Sequence, residues 1–281
     1  MSSPSVTETS LLTDELRLKT RGLHGKMDRI VQLGLFTVLD YKIYRQILLS
    51  FYYIFKTFEE EYERHLAQEN PDPWLKHTYT PEMKRTAVFE QDLEYFYGPD
   101  WREQTAPNNQ TLEYMSHIRD ISKRHPERLV AFPSTLYLGI FFGGMITRSK
   151  IIRSTKFFPS PPEKQLGGEH DNGIAIFTFR NKDEKSDHYG QKEDANKIKA
   201  LLKGRLNTIP GIDTEKEKLR RDQIGQEAIE IFTRNIDIMS SARGMSQVWM
   251  RWILYALVYS AIAVALFQMV FRRSNEERLE L

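Results

Sequence analysis

Residues 135–144 read TLYLGIFFGG, an apolar, otherwise helix-like run that contains Gly139, Gly143 and Gly144. Glycine in a helix interior costs up to about 1 kcal/mol against alanine. A chain that accepts three of them within six residues needs bare backbone close to something. That something is either another helix or a flat ligand lying against a bent one. The surrounding stretch, LVAFPSTLYLGIFFGGMITRSKIIRSTKFFP (129–159), favours the ligand.

Outward from this segment the pattern is helical. Tyr41, Tyr44, Ile47, Leu48, Phe51, Phe55, Phe58 and Tyr62 recur at spacings of three and four, which predicts a long helix over about 38–67. Thr13 is the expected N-cap of an earlier helix, with Asp14 and Glu15 in its first turn, where the helix dipole favours acids. Thr80-Pro81 is expected to open another helix and Gly98-Pro99 to close it. Leu112, Met115 and Ile118 mark one more, stopped near His125-Pro126. The glycine-bearing helix runs from about 127 to 155, and helices resume around 190–206 and 214–243. PSPPEKQLGGEHDNG (159–173) is a loop by composition, whereas IAIFTF (174–179) is either a short strand or a buried connector.

Composition bounds the function. Forty basic against thirty-eight acidic residues leave a net charge of +2, which is no footprint for a nucleic-acid backbone. The absence of cysteine excludes disulfides, iron–sulfur clusters and thiolate-bound zinc or heme. The start, MSSPSVTETS, lacks a secretory pattern. Near the end, Trp252–Phe271 is an uncharged run of 20 residues between Arg251 and Arg272-Arg273. About 20 apolar residues span a bilayer core, and Trp249, Trp252 and Tyr255 suit its interface. The expected organisation is a polar tail (1–12), an all-α domain (13–243), a linker (244–251), a transmembrane tail anchor (252–271) and a short polar end (272–281).

Of seven histidines, His24 stands apart. Arg17, Arg21, His24 and Asp28 fall at i, i+4, i+7 and i+11, one face of a helix. An imidazole there could ligate iron, and the guanidiniums could pair with carboxylates of a ligand. Leu16, Leu23, Met27 and Ile30 form an adjoining apolar stripe. From spacing alone, a solvated charged face with an incidental histidine is the simpler reading.

Three stretches together change that balance. YLG followed three residues later by a glycine pair (137–144) resembles the distal helix of heme oxygenases. AVFEQDLEYFYGPDW (87–101) resembles their EQDLxxxYGPxW block, and LRLKTRGLHGKMD (16–28) their proximal-histidine helix. The similarity runs from about Leu16 to Met239, and the spelling LYLxxFxGGxxxRS looks most like the fungal, membrane-anchored branch. The resemblance implies an all-α fold with heme b as cofactor and substrate. Its iron would sit on His24, and its propionates near Arg17, Arg21, Lys199 and Lys203. It also implies close approach of heme to Gly139, Gly143 and Gly144, with Thr135 and Asn235 as polar members of the distal network. Lysines at helical spacing are more often simply solvated.

The distal side departs from the family. The family's aspartate falls on Ile140, its arginine on Leu136 and a network tyrosine on Phe55. Isoleucine cannot relay a proton, and positioned proton transfer is worth about 10²–10⁴-fold. The resemblance implies oxygen-dependent opening of heme to biliverdin, carbon monoxide and ferrous iron. Electrons would come from NADPH through a membrane-bound flavoprotein reductase, since GGEHDNG (167–173) lacks the spacing of a dinucleotide loop. The body is expected in the cytosol, anchored to the endoplasmic reticulum or alternatively the mitochondrial outer membrane. The distal changes keep a rival open, a heme sensor, buffer or carrier without ring opening. A third reading, a helical interaction module without heme, rests on no specific residue.

Overall fold

The computed structural model describes residues 11–37, 41–80, 83–152, 173–178, 188–208 and 215–279. Among these residues all regular structure is helical. The expected loop at 159–173 lies outside them except for Gly173, as do the first ten residues.

Helix α1 spans Leu12–Thr37 and α2 Tyr41–Leu66. Short α3 (Pro73–Thr78) leads to α4 (Thr86–Tyr97), α5 (Trp101–Gln104) and α6 (Asn109–Arg124). A 3-10 turn, Pro126–Val130, then enters the glycine-bearing segment. Helix α7 is Met145–Ile152, α8 His188–Asn207, α9 Glu215–Ser241 and α10 Met245–Leu279.

Helix α2 is the core. Leu48, Tyr52, Phe55, Phe58 and Tyr62 are buried at helical spacing, as the sequence predicts. Phe58 stacks on Phe132 at 5.0 Å, and Phe55 meets Tyr137 edge-on at 5.0 Å. Each fully buried large side chain contributes about 1.5–3 kcal/mol, so α2 anchors α4, α6 and the glycine-bearing segment together. Helix α1 lies on α9. Leu16 and Ile30 are buried, while Leu23 and Met27 pack against the cluster of Ile30, Ile236 and Ala242.

Several local expectations are corrected. Helix α1 starts at Leu12, so Thr13 is no N-cap; its backbone N–H donates to Asn207 Oδ1 at 3.0 Å. Helix α4 opens at Thr86 rather than at Thr80-Pro81, because its cap comes from another helix. The Glu59 carboxylate of α2 accepts Arg85 N–H (2.7 Å), Thr86 N–H (3.2 Å) and the Thr86 hydroxyl (2.5 Å). Gly98 does end α4, with φ of +90°.

The expected linker at 244–251 is a single glycine turn. Gly244 has φ of +102°, and α10 then runs unbroken through the span to Leu279, taking in much of the expected polar end. Gln46 of α2 grips this turn. Its Oε1 accepts Arg243 N–H at 3.0 Å, and its Nε2 donates to the Arg243 carbonyl at 3.2 Å. Within α10, Ile253–Val270 has a mean hydropathy of 2.1 and no residue buried against the body.

Candidate heme site

The predicted charged face of α1 is real and open. Arg17, Arg21, His24 and Asp28 are all exposed. With Asp14, Leu18 and Gly25, the first three line a cleft of about 690 Å³, a size typical of ligand sites. His24 Nδ1 lies 3.1 Å from Asp28 Oδ2. A carboxylate on Nδ1 fixes the tautomer that presents Nε2 as a neutral metal ligand. The ring's other neighbour is Phe232 of α9, at 5.7 Å between centroids. Arg17 and Arg21 enter no ion pair among the described residues, so both guanidiniums are available to an anionic ligand.

The register of this face is set from α9. Lys19 pairs with Asp222 at 2.7 Å and Glu15 with Arg221 at 3.1 Å. The Lys19 stem lies across Gly225, where an added Cβ would come within 2.7 Å of it. Such partly exposed pairs are each worth little in stability, but they fix the rotation of α1.

Residues 133–144 are not the plain helix that the sequence suggests. Two π-helical stretches, Pro133–Tyr137 and Ile140–Gly144, follow one another. Leu138 N–H reaches back five residues to the Pro133 carbonyl. Widened turns of this kind are rare and gather at functional sites. Gly139 and Gly143 are exposed, and open space lies where their side chains would be. Gly144 differs. It is buried, and a Cβ there would meet the Phe177 ring at 2.7 Å and Ile140 at 3.5 Å. On the side where a Cβ would stand, Gly144 therefore makes a packing contact.

The apolar substitutions are packed into the interior: Leu136 is 4% exposed and Phe55 1%, while Ile140 is half-buried. Thr135 and Asn235 are buried and are not joined to each other. Asn235 Oδ1 instead accepts the hydroxyl of Tyr114 on α6 at 3.3 Å. Burial, with Glu227 nearby, pushes the Tyr114 phenol well above its ordinary pKa, so it stays a donor. Lys199 and Lys203 are half-buried on α8, which touches α1.

Sequence reasoning missed the groups that hold this segment. Tyr137 donates to Glu59 Oε1 at 2.9 Å, and burial together with that carboxylate raises the phenol pKa well above 10.0. Burial lowers the Arg85 guanidinium to about 10, opposed by Tyr137 and Glu59. Asp92 of the EQDL block, fully buried, accepts the amides of Ala175 and Ile176, both at 2.9 Å. The signal was present in EQDL itself: an acid in a helix whose neighbours Phe89, Leu93 and Phe96 are core residues needs a buried donor.

Comparison with known proteins points the same way. The heme oxygenase family model matches residues 10–241. Heme oxygenase 1 of Bos taurus is 30% identical over 244 residues, covering 83% of this chain and 72% of that protein. Heme oxygenase 1 of Synechocystis is 26% identical, covering 96% of this chain and 95% of its own length. Among solved structures, heme oxygenase-2 from Synechocystis in complex with heme and NO superposes with a TM-score of 0.67. It is 25% identical and covers 85% of this chain and 91% of its own. A histidine–carboxylate pair and two available arginines thus border an open cleft in a helical frame matched over nearly its whole length, and the chain belongs to the heme oxygenase family.

Proposed function

We propose that this heme oxygenase binds heme in the α1 cleft as both cofactor and substrate and opens it to biliverdin, carbon monoxide and ferrous iron. The observation that carries the reading is the exposed imidazole of His24, held by Asp28 and flanked by Arg17 and Arg21 on one cleft. The donor set fits heme: a neutral imidazole for iron, cations for two propionates and Leu18 for the apolar edge. Bound heme would supply the redox centre at which oxygen is reduced and a meso carbon attacked.

The chain's own residues do the rest. Asp28 keeps the His24 proton on Nδ1. Arg17 and Arg21, with Lys199 and Lys203 at the neighbouring helix, set the heme's rotation through its carboxylates. The open backbone at Gly139 and Gly143 admits the flat ligand or a water. Thr135 and the Tyr114–Asn235 pair supply the remaining polar support, since Ile140, Leu136 and Phe55 offer no proton. Proton delivery is therefore slower, with more hydrogen peroxide released per heme consumed.

The unburied span in α10 supports a tail anchor with the body in the cytosol, in keeping with the fungal membrane-anchored spelling. Family habit favours the endoplasmic reticulum, where a membrane-bound reductase would pass electrons from NADPH. Truncation before Met245 is expected to free a body that still binds heme, whereas the full chain resists carbonate extraction.

The deciding experiment loads heme without oxygen, then adds oxygen with reductase and NADPH while the visible spectrum is followed. Biliverdin and carbon monoxide in equal amounts are expected. Oxygen consumption with neither product would favour the heme-carrier reading, which the apolar Ile140, Leu136 and Phe55 motivate.

A further inference from the structure

One short connection, just before α8, ends against the π-helical segment Ile140–Gly144. The 3-10 turn Ala175–Phe177 is pinned at both ends by α4 and the residue before it. At its start, the two Asp92 oxygens each take one amide, from Ala175 and Ile176. At its end, Arg85 donates to the Thr178 carbonyl at 3.5 Å, and its guanidinium lies 6.0 Å from the centre of the Phe141 ring. Within the turn, Phe177 N–H and Thr178 N–H close back on Ile174 and Ala175 at 3.0 and 2.8 Å. The one ring this turn presents to the π-helical stretch is Phe177, and it fills the place of the Gly144 side chain.

We infer that Asp92 is a positioning residue for the distal face, holding Phe177 as a wedge against Gly144 and so setting how far the stretch Ile140–Gly144 can lean back. The physics is that of a stop. A π-helical turn is wider and less regular than an α-turn, so its position is decided by what it rests on. Gly139 and Gly143 leave one side open, and Phe177 closes the other. Two charge-assisted hydrogen bonds in a buried site hold the wedge more firmly than neutral ones would. The Tyr137–Glu59 bond ties the first π-helical stretch to α2, whereas the apolar Ile140 gives the second no polar side-chain anchor. A stop behind the backbone takes over that task. The inference rests on heme binding over this face, but the stop itself is a property of the ligand-free protein.

The test uses the full chain in detergent and four variants: Gly144→Ala, Gly144→Ala with Phe177→Leu, Phe177→Leu alone and Asp92→Asn. Hydrogen exchange is measured on the heme-free protein. Gly144→Ala should push the stretch off its seat and speed exchange of the 139–147 amides about tenfold while α2 and α6 amides stay protected. The smaller leucine side chain should restore protection in the double variant. Asp92→Asn should loosen the same amides. With ferric heme b added, the acid–alkaline transition of the complex should shift in Gly144→Ala and return in the double variant.

Unchanged exchange in either Gly144→Ala or Asp92→Asn would overturn the inference. So would loss of protection spread evenly over α2 and α6, or no rescue by Phe177→Leu. If instead the parent takes no heme through His24, the proposed function fails while the exchange result still judges the wedge.

Discussion

Helix α1 and the π-helical stretch 133–144 are built in opposite ways. Helix α1 carries its functional groups on the outside, where Arg17, Arg21 and His24 face water, while its apolar stripe and ion pairs to α9 fix its rotation. The π-helical stretch buries nearly everything that bears a side chain and is held from behind by Glu59, Arg85 and Asp92. Exposed groups can be exchanged with little effect on folding but a large one on binding. Buried ones carry position, and their loss is felt first in stability.

The largest expected effect is on the exposed side. His24→Ala should weaken heme binding by more than about 100-fold, since even outer partners of a metal ligand are worth about 10–100-fold. It should leave the fold intact, because alanine is a good helix former. Added imidazole should bring back a parent-like Soret band. An unchanged spectrum and affinity would remove His24 from the site.

The next effect falls on the buried side. Leu136→Arg places a charge where only 4% of the residue is exposed and should lower stability by about 3 kcal/mol. Ile140→Asp, at a half-exposed position, should cost much less and should raise the biliverdin formed per oxygen consumed. Urea midpoints check the first and product stoichiometry the second. Equal midpoints for Leu136→Arg and the parent would mean that the two regions are not held differently.

Asp28→Asn should separate position from stability on α1. Heme affinity should fall about tenfold, with an unchanged urea midpoint because both partners are exposed.

The smallest effect concerns Tyr137→Phe, which removes one buried hydrogen bond worth about 1 kcal/mol. Its pH dependence is informative. The folded phenol holds its proton more tightly than the ordinary value of 10.0, so its contribution is complete below pH 10 and is lost as pH rises beyond that. Arg85, lowered to about 10, works in the other direction, so the diagnostic is the difference between parent and variant. The alkaline fall in the urea midpoint should be shallower in Tyr137→Phe. An identical slope would show that Tyr137 does not titrate on unfolding.

The same contrast explains what could be read ahead of the structure. The α2 stripe, the Gly98 stop, the charged face of α1 and the apolar span after Gly244 are local patterns, and each appears where periodicity or composition puts it. The start of α4 is not local, because its cap, Glu59, comes from 26 residues earlier in the chain. Gly144 reads like its two neighbouring glycines in sequence; only the fold brings Phe177, on a turn held by Asp92, into the place of its missing side chain.

What the sequence determined alone is therefore the all-α class, the family and the presence of an exposed histidine with two arginines one and two turns before it. Those follow from short-range spacing along a helix, which a chain carries within itself. The tertiary structure decided which glycines are open and which is filled, that the distal segment is π-helical, and which buried carboxylates hold it. Each of these depends on a contact between residues far apart in sequence, where the energy of burying and pairing a group is set only once the distant partner has arrived.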